Sequence, residues 1–534
     1  MLKRLTLVLA LVLVAGLTCA AYAEVQNVKV SGDIEVIGAM RNLELHQGAA
    51  GDLVGSVYNT THVDDFLATI TRVTISADLT DNVSTVVRLL NERYWGKESE
   101  NSQDPSAAGV DSDTNTEIDL DLAYVTLKEF LYSPLTMTIG RQELHFGNDM
   151  IIGDPDTNNR VTPASAFGGA VFVPATNRAN YDLSARKSFD AIRSTLNYDP
   201  VVIDMVYAKI REGATNSQDD VNLLGVNVGW DVSKKMKVEG YFWQKQIERK
   251  TNILVTGPLL DPYLQNKERK TNVLGARVSG EPVDALTYSL EGAIQFGRWN
   301  GNGYSDYFVD DAANLPLTDS VVGAGNATPT VELRAWALEA FLNYDFKKVK
   351  YTPSLGACYA YFSGDDMPLP WLTPDTAGIN EKHYKGWDPF FENQKYGDIH
   401  NALFNQTNQH IVGLKGSIKP FQDITVKGEA YGYFLAKAPT DYNNGEFVPL
   451  GYTVQTVARP GQNLYTTKSA FLGQEYDLTF TYDYTEDVQF NLLTGMFLPG
   501  NVFSSSGEPI AVLPDGGKSN NAAGEVIGSM KVTF

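Results

Sequence analysis

The strongest constraint on this chain is a rhythm. From residue 28 to the last residue, eighteen segments alternate apolar and polar side chains with a period of two. Their connections alternate short and long without one break in phase. The segments run near 28–45, 66–80, 82–95, 117–130, 134–146, 188–198, 200–211, 221–232, 235–248, 270–281, 284–299, 331–346, 349–363, 409–419, 423–436, 468–483, 486–498 and 523–534. Short connections carry turn residues, as in Asp81-Asn82, Asp199-Pro200, Ser233-Lys234 and Lys347-Lys348. Long ones run roughly 46–65, 96–116, 147–187, 249–269, 300–330, 364–408, 437–467 and 499–522, with a shorter one near 212–220. Connections of this length are out of place in a compact soluble domain.

The alternation separates two faces. In the second segment Leu67, Val73, Ile75, Ala77 and Leu79 share one side, and Arg72, Thr74, Ser76 and Asp78 the other. In the fourth, Ile118, Leu120, Leu122 and Tyr124 oppose Glu117, Asp119, Asp121 and Ala123. The last segment places Val526, Gly528, Met530, Val532 and the terminal Phe534 together. Strands of about ten residues, half apolar, cross a lipid bilayer only when the sheet closes on itself and leaves no unpaired edge. The expectation is therefore an all-β chain, a transmembrane antiparallel β-barrel of about 18 strands with short periplasmic turns and long extracellular loops.

The N-terminus agrees. Lys3 and Arg4 precede an apolar stretch from Leu5 to Leu17, and Ala21-Tyr22-Ala23 offers a small-x-small cleavage site. Residues 1–23 are expected to be a signal peptide and 24–534 an outer-membrane barrel. The expected location is the outer membrane, with lipid and lipopolysaccharide as neighbours. Phe534 would sit in the interfacial aromatic girdle and present the closing strand to the barrel-assembly machinery. After cleavage one cysteine remains, Cys358, which makes no internal disulfide.

The formal charge is −21, and losing Lys3 and Arg4 with the leader deepens it by two, which excludes nucleic acid as a partner. Much of the acid lies in the long connections. Asp111-Ser112-Asp113-Thr114-Asn115 begins like a calcium loop, but Thr116 stands where glycine is needed and Leu122 where glutamate is needed. No metal, cofactor or catalytic set is expected. Of the six histidines only His145 lies in a clear strand near carboxylates, and no nucleophile motif surrounds it.

Eighteen strands enclose more space than side chains fill, so the polar face should line water. Bases in that phase include Lys29, Arg41, Arg72, Arg193, Lys237, Lys245, Arg277, Lys415 and Lys427. Acids include Asp33, Asp121, Asp204, Glu239, Glu291, Glu339, Glu429, Glu475 and Asp477. Such charges either pair across neighbouring strands and stiffen the wall or steer a charged solute. The 147–187 connection is the expected constriction. It holds four glycines, three prolines and an apolar stretch from Ala166 to Pro174, and Arg160 would bring positive charge inward.

Around this connection stand Ile139-Gly140-Arg141-Gln142-Glu143-Leu144-His145-Phe146-Gly147, then Ile151-Ile152-Gly153, then Ser188-Phe189-Asp190-Ala191-Ile192-Arg193. This pairing of a Gly-Arg-Gln strand with a Phe-Asp-Ala-x-Arg strand resembles the alginate-export family of outer-membrane porins. The resemblance implies an eighteen-stranded barrel whose lumen arginines select a polyanion. It carries Arg141 and Arg193 over as lumen arginines, and Asp190 beside them is also an expected pore-lining residue. Arg141 alternates with Leu135, Met137 and Ile139, so a bulge at Gly140 would be needed to turn it inward. The expected function is a channel for hydrophilic, anionic solutes or a polysaccharide such as alginate. A surface adhesin or receptor, or a barrel hydrolase, is the alternative.

Overall fold

In the computed structural model the chain is an antiparallel barrel, described over residues 26–43, 64–96, 118–155, 182–212, 220–249, 267–299, 331–365, 383–437, 470–500 and 522–534. The first strands are β1 (Gln26–Asn42), β2 (Asp64–Thr80), β3 (Val83–Tyr94), β4 (Asp119–Leu127), β5 (Leu135–Glu143) and β6 (Ser188–Asn197). Then come β7 (Val201–Arg211), β8 (Val221–Ser233), β9 (Met236–Arg249), β10 (Lys267–Val283), β11 (Leu286–Trp299), β12 (Val331–Asp345) and β13 (Ser354–Phe362). After the two-residue β14 (His383–Tyr384) and a short helix α1 (Asp398–Leu403) follow β15 (Gln409–Phe421), β16 (Ile424–Leu435), β17 (Phe471–Asp483), β18 (Val488–Pro499) and β19 (Ala523–Thr533). Each strand pairs with its neighbour, β13 pairs directly with β15, and β1 pairs with both β2 and β19, which closes the sheet. Setting aside β14, which joins β12 in parallel, eighteen strands make the wall, one for each period-two segment.

Closure is tied at the last residue. The Phe534 amide donates to the Gly32 carbonyl (2.9 Å), and the Gly32 amide donates to the Phe534 carbonyl (2.8 Å). The ring lies on Gly32, where an added Cβ would come within 2.8 Å of it and within 2.4 Å of the Arg72 carbonyl oxygen. Only glycine lets the strand and the ring approach this closely.

The two faces are as different as the alternation requires. Outward stand exposed Ile34, Leu67, Ile192, Met205, Leu274, Ile294, Trp336, Leu355, Leu414, Phe480 and Val526. Inward stand buried Arg41, Asp121, Asp204, Glu239, Lys245, Glu291, Glu339, Glu475 and Asp477. One strand departs from expectation. The β3–β4 ladder shifts register between Arg88 and Leu89, so that Arg88 faces Leu122 and Leu89 faces Leu120. The bulge at Asp121 turns Leu122 inward, where it is buried, while Leu120 and Val125 face out. A strict period-two reading across residue 121 fails for that reason.

Candidate functional site

The lumen is narrowed by three stretches of chain that leave the strands and pack against the inner wall. The first continues β5. Leu144, Phe146, Met150, Ile151 and Ile152 are buried in one apolar cluster with wall residues Phe189, Ala208, Leu223 and Trp243. The Phe146 ring rests on Trp243 at 4.8 Å. Gly147 takes φ +65°, and a Cβ there would meet the Glu291 carboxylate at 2.8 Å, which explains a glycine at this turn. Next to it Asn148 donates to Ser289 Oγ (2.8 Å) and accepts from Arg277 Nη2 (2.8 Å).

The second stretch, 182–187, covers the β1–β4 side. Asp182 accepts two hydrogen bonds from Arg41 (2.9 and 2.7 Å), whose Nε donates to Glu525 (2.8 Å). Glu92 accepts from the Ser184 hydroxyl and from the Ala185 amide (2.6 Å). Arg186 pairs with Asp119 (2.8 Å) and Lys187 with Asp154 (2.5 Å), tying this stretch to the first. Burial pushes the Asp182 carboxyl above its ordinary value even beside Arg41.

The third stretch, 383–408, was expected to be part of an external loop and instead enters the barrel. Trp387, Phe390, Phe391, Tyr396, Ile399 and Phe404 are buried in the same cluster as Phe146. Phe391 runs beside the first stretch in parallel: its carbonyl accepts from Gly153 (2.7 Å) and Asp154 (2.9 Å), and its amide donates to Ile151 (3.0 Å). Asp388 receives Lys245 (3.2 Å) and the Thr271 hydroxyl (2.8 Å), and its amide and carbonyl both bond Gln295. The Tyr396 hydroxyl donates to Glu339. At the start of α1, Glu475 accepts from the amides of Ile399 (2.8 Å) and His400 (2.9 Å) and from the Tyr433 hydroxyl (3.0 Å). The wall acids that looked like lumen charges are thus partly anchors for backbone. The His400 ring stacks on Tyr433 at 4.4 Å and bonds Gln409 (2.7 Å), and burial lowers its pKa to about 4.

The pore-lining residues expected from the sequence separate into groups. Arg72 pairs with Asp33 (2.9 Å), Arg193 with Asp204 (2.8 Å), Lys237 with Glu239 (3.0 Å), Arg277 with Glu239, and Lys415 and Lys427 with Glu429 (3.3 and 2.5 Å). All six face inward. Arg160 lies outside the described residues, as do the 1–23 leader, the Ala166–Pro174 stretch and the calcium-like Asp111–Asn115.

Arg141 and Asp190 are corrections. Gly140 does take φ +124°, yet the β4–β5 and β5–β6 ladders run through it without a register shift, so no bulge turns Arg141 inward. Arg141 instead meets Asp190 at 3.3 Å on the outer face, the side of Ile139 and Ile192. The inward member of the motif is Gln142, buried, with its amide donating to the Thr138, Gly140 and Ala191 carbonyls. Strict alternation from Ile139 puts Arg141 outward and Gln142 inward, and on β6 alternation with Ile192 puts Asp190 outward.

A closed barrel with a lipid-compatible outer face and a charged, narrowed lumen defines an outer-membrane channel. The family model described as alginate export matches residues 55–509, and the chain belongs to that family. No curated protein matches it. Among solved structures it is similar to Pseudomonas aeruginosa OccK2 (OpdF) in complex with glucuronate, at 9% identity over 95% of this chain and 98% of that one, TM-score 0.47. It is also similar to the same organism's OccK8 (OprE), at 10% identity over 95% and 98%, TM-score 0.45, and OprD, at 8% over 96% and 96%, TM-score 0.44.

Proposed function

We propose that this channel passes hydrophilic solutes with a preference for anions, uronate-type sugars and their polymers among them. The observation that carries this is which member of each lumen ion pair meets water. Lys237 is 47% exposed and its partner Glu239 6%; Lys427 is 46% exposed and Glu429 8%; Arg193 is 32% exposed and Asp204 7%. The acids are packed against the wall and the cations point into the channel. A neutral pair so oriented is a dipole with its positive end in water, and a solute feels that end first. Lys415 and Lys187 follow the same pattern. Arg88–Glu143 and Arg186–Asp119 run the other way, and both involve acids at the outer ends of β4 and β5. The excess of acids counted along the sequence therefore misstates the surface a solute meets.

Planar-bilayer reversal potentials in a potassium chloride gradient test this. The wild-type channel should prefer chloride, and the triple variant R193Q/K237Q/K427Q should lose most of that preference. A cation-selective wild-type channel would sink the proposal. Partial current block by glucuronate oligomers but not by neutral glucose oligomers would support the cargo class.

A further inference from the structure

We propose that Glu291 and Glu339 share one proton, and that this carboxyl pair is a latch that seats the first and third lumen stretches and releases them when the proton leaves. The two acids stand directly opposite each other on β11 and β12, face inward, and are 1% and 0% exposed. At facing positions of an antiparallel pair the Cβ atoms lie about 4.5–5.5 Å apart, close enough for two carboxyl groups to meet. They end a row of charge that register builds across β9 to β12. Lys237 pairs with Glu239 at 3.0 Å, Glu239 pairs with Arg277, and Arg277 reaches Glu291 at 3.8 Å. Two bases thus serve three acids, and Glu339 is the acid in excess. Its Oε1 accepts from the Tyr396 hydroxyl, and its Oε2 has no hydrogen-bond partner.

Among the described residues, the groups around the pair supply no further cation. From β9 the Tyr241 hydroxyl donates to Glu291 at 2.7 Å. On β13 the buried Cys358 thiol faces the same side of the wall. On the first stretch His145 pairs with Asp149 at 3.0 Å. On the third, Asp388 takes Lys245, Lys395 meets Asp398 at 3.7 Å, and Glu392 is one more buried acid. A buried carboxylate without a counter-ion is costly enough that it takes up a proton instead. Two facing acids hold one proton between them for the same reason.

Both stretches are fastened at this pair. Asn148 of the first donates its amide to Glu291 at 3.3 Å, and Gly147 approaches the same carboxylate. Tyr396 of the third donates to Glu339. Loss of the proton to water leaves two like charges opposed inside the wall, a destabilising arrangement. It is relieved when a carboxylate turns into the channel water, which requires Asn148 and Tyr396 to give up their places. The seated state holds one proton more than the released state, so its stability falls as pH rises. The latch is independent of the anion preference proposed above.

The test is single-channel conductance of the whole barrel in planar bilayers from pH 6 to pH 9, read beside infrared spectra of the same protein. Wild-type conductance should rise at least twofold, reversibly, over that range. Glu339→Gln puts a neutral group of the same shape in the pair and should stay at the low conductance throughout. At pH 6 the wild-type spectrum should show a protonated-carboxyl carbonyl band that Glu339→Gln lacks. Cys358→Ala should keep the wild-type profile. A wild-type conductance that does not change with pH overturns the proposal. So does a Glu339→Gln variant that follows the wild-type profile or keeps the full carboxyl band. A flattened profile in Cys358→Ala also overturns it and moves the response to the thiol. If Glu339→Gln lacks the heat-modifiable mobility of a folded barrel, Glu291→Gln decides by the same two readings.

Discussion

At the residue scale, seam and wall depend on a few side chains whose roles follow from what they touch. Phe534 closes the barrel by two backbone bonds to Gly32 and by laying its ring where Gly32 has no side chain. Gly32→Val should therefore impair closure as strongly as loss of Phe534, and Phe534→Asp should do so by placing charge at the interface. The expected outcome is a lower yield of heat-modifiable barrel in outer-membrane fractions, and normal yield from Gly32→Val would show that the seam tolerates the clash. Arg41 is the second such residue, fully buried between Asp182 and Glu525. Arg41→Ala leaves two acids facing each other without their cation, a kind of loss that costs about 3–5 kcal/mol. A lowered thermal midpoint should report it. At this scale the sequence was legible wherever alternation governed and illegible where a motif suggested function. Plain alternation put Arg141 toward lipid, and the family motif drew it inward. The unbroken hydrogen-bond ladder decides for alternation, because a side chain changes face only if the ladder gains or loses a residue.

At the scale of elements, the strands were legible and the lumen insert of 383–408 was not. A strand announces itself by period two, whereas a segment packed inside a barrel has no fixed period and must satisfy only local contacts. A compositional signal was nevertheless present. Trp387, Phe390, Phe391, Tyr396 and Phe404 crowd into one long connection, far more aromatic than a solvated loop requires. The insert also carries a pH response. Burial holds the pKa of His400 near 4, below its ordinary value near 6.5. Above pH 6.5 the ring is neutral in both the seated and released states and its packing is fully effective. As pH falls from there toward 4, the released ring takes up a proton that the seated ring refuses. The seated state loses stability through that window, at most about 3 kcal/mol by linkage. Asp182 opposes this in part, since its raised pKa favours the packed state as acid is added. Faster trypsin cleavage within 383–408 should appear between pH 7 and pH 4.5 in wild type, and His400→Gln should flatten that dependence. Identical pH profiles would assign any response to the wall carboxylates.

At the scale of the whole molecule, eighteen amphipathic strands dictated a closed barrel because no other arrangement satisfies every backbone group in lipid. What the strands did not dictate is how much of the lumen stays open, since that depends on chain that need not have entered. Width and charge are set by different parts, so they should separate experimentally. The insert, held by Lys245, Glu339 and Glu475, occupies space, and its residues 387–404 carry one lysine, Lys395, against the acids Asp388, Glu392 and Asp398. The wall lysines and Arg193 present charge but occupy little space. Deleting residues 387–404 should raise single-channel conductance while leaving an anion preference in place. The R193Q/K237Q/K427Q variant should remove the preference while leaving conductance near wild type. Salt provides the cross-check. Screening shortens from about 10 Å at 0.1 M to about 3 Å at 1 M, so a preference that arises from exposed wall cations must weaken over that range. A preference independent of salt would indicate direct contact at a dry constriction instead. Loss of selectivity in the deletion rather than in the triple variant would then place the filter on the insert, with the wall pairs reduced to braces.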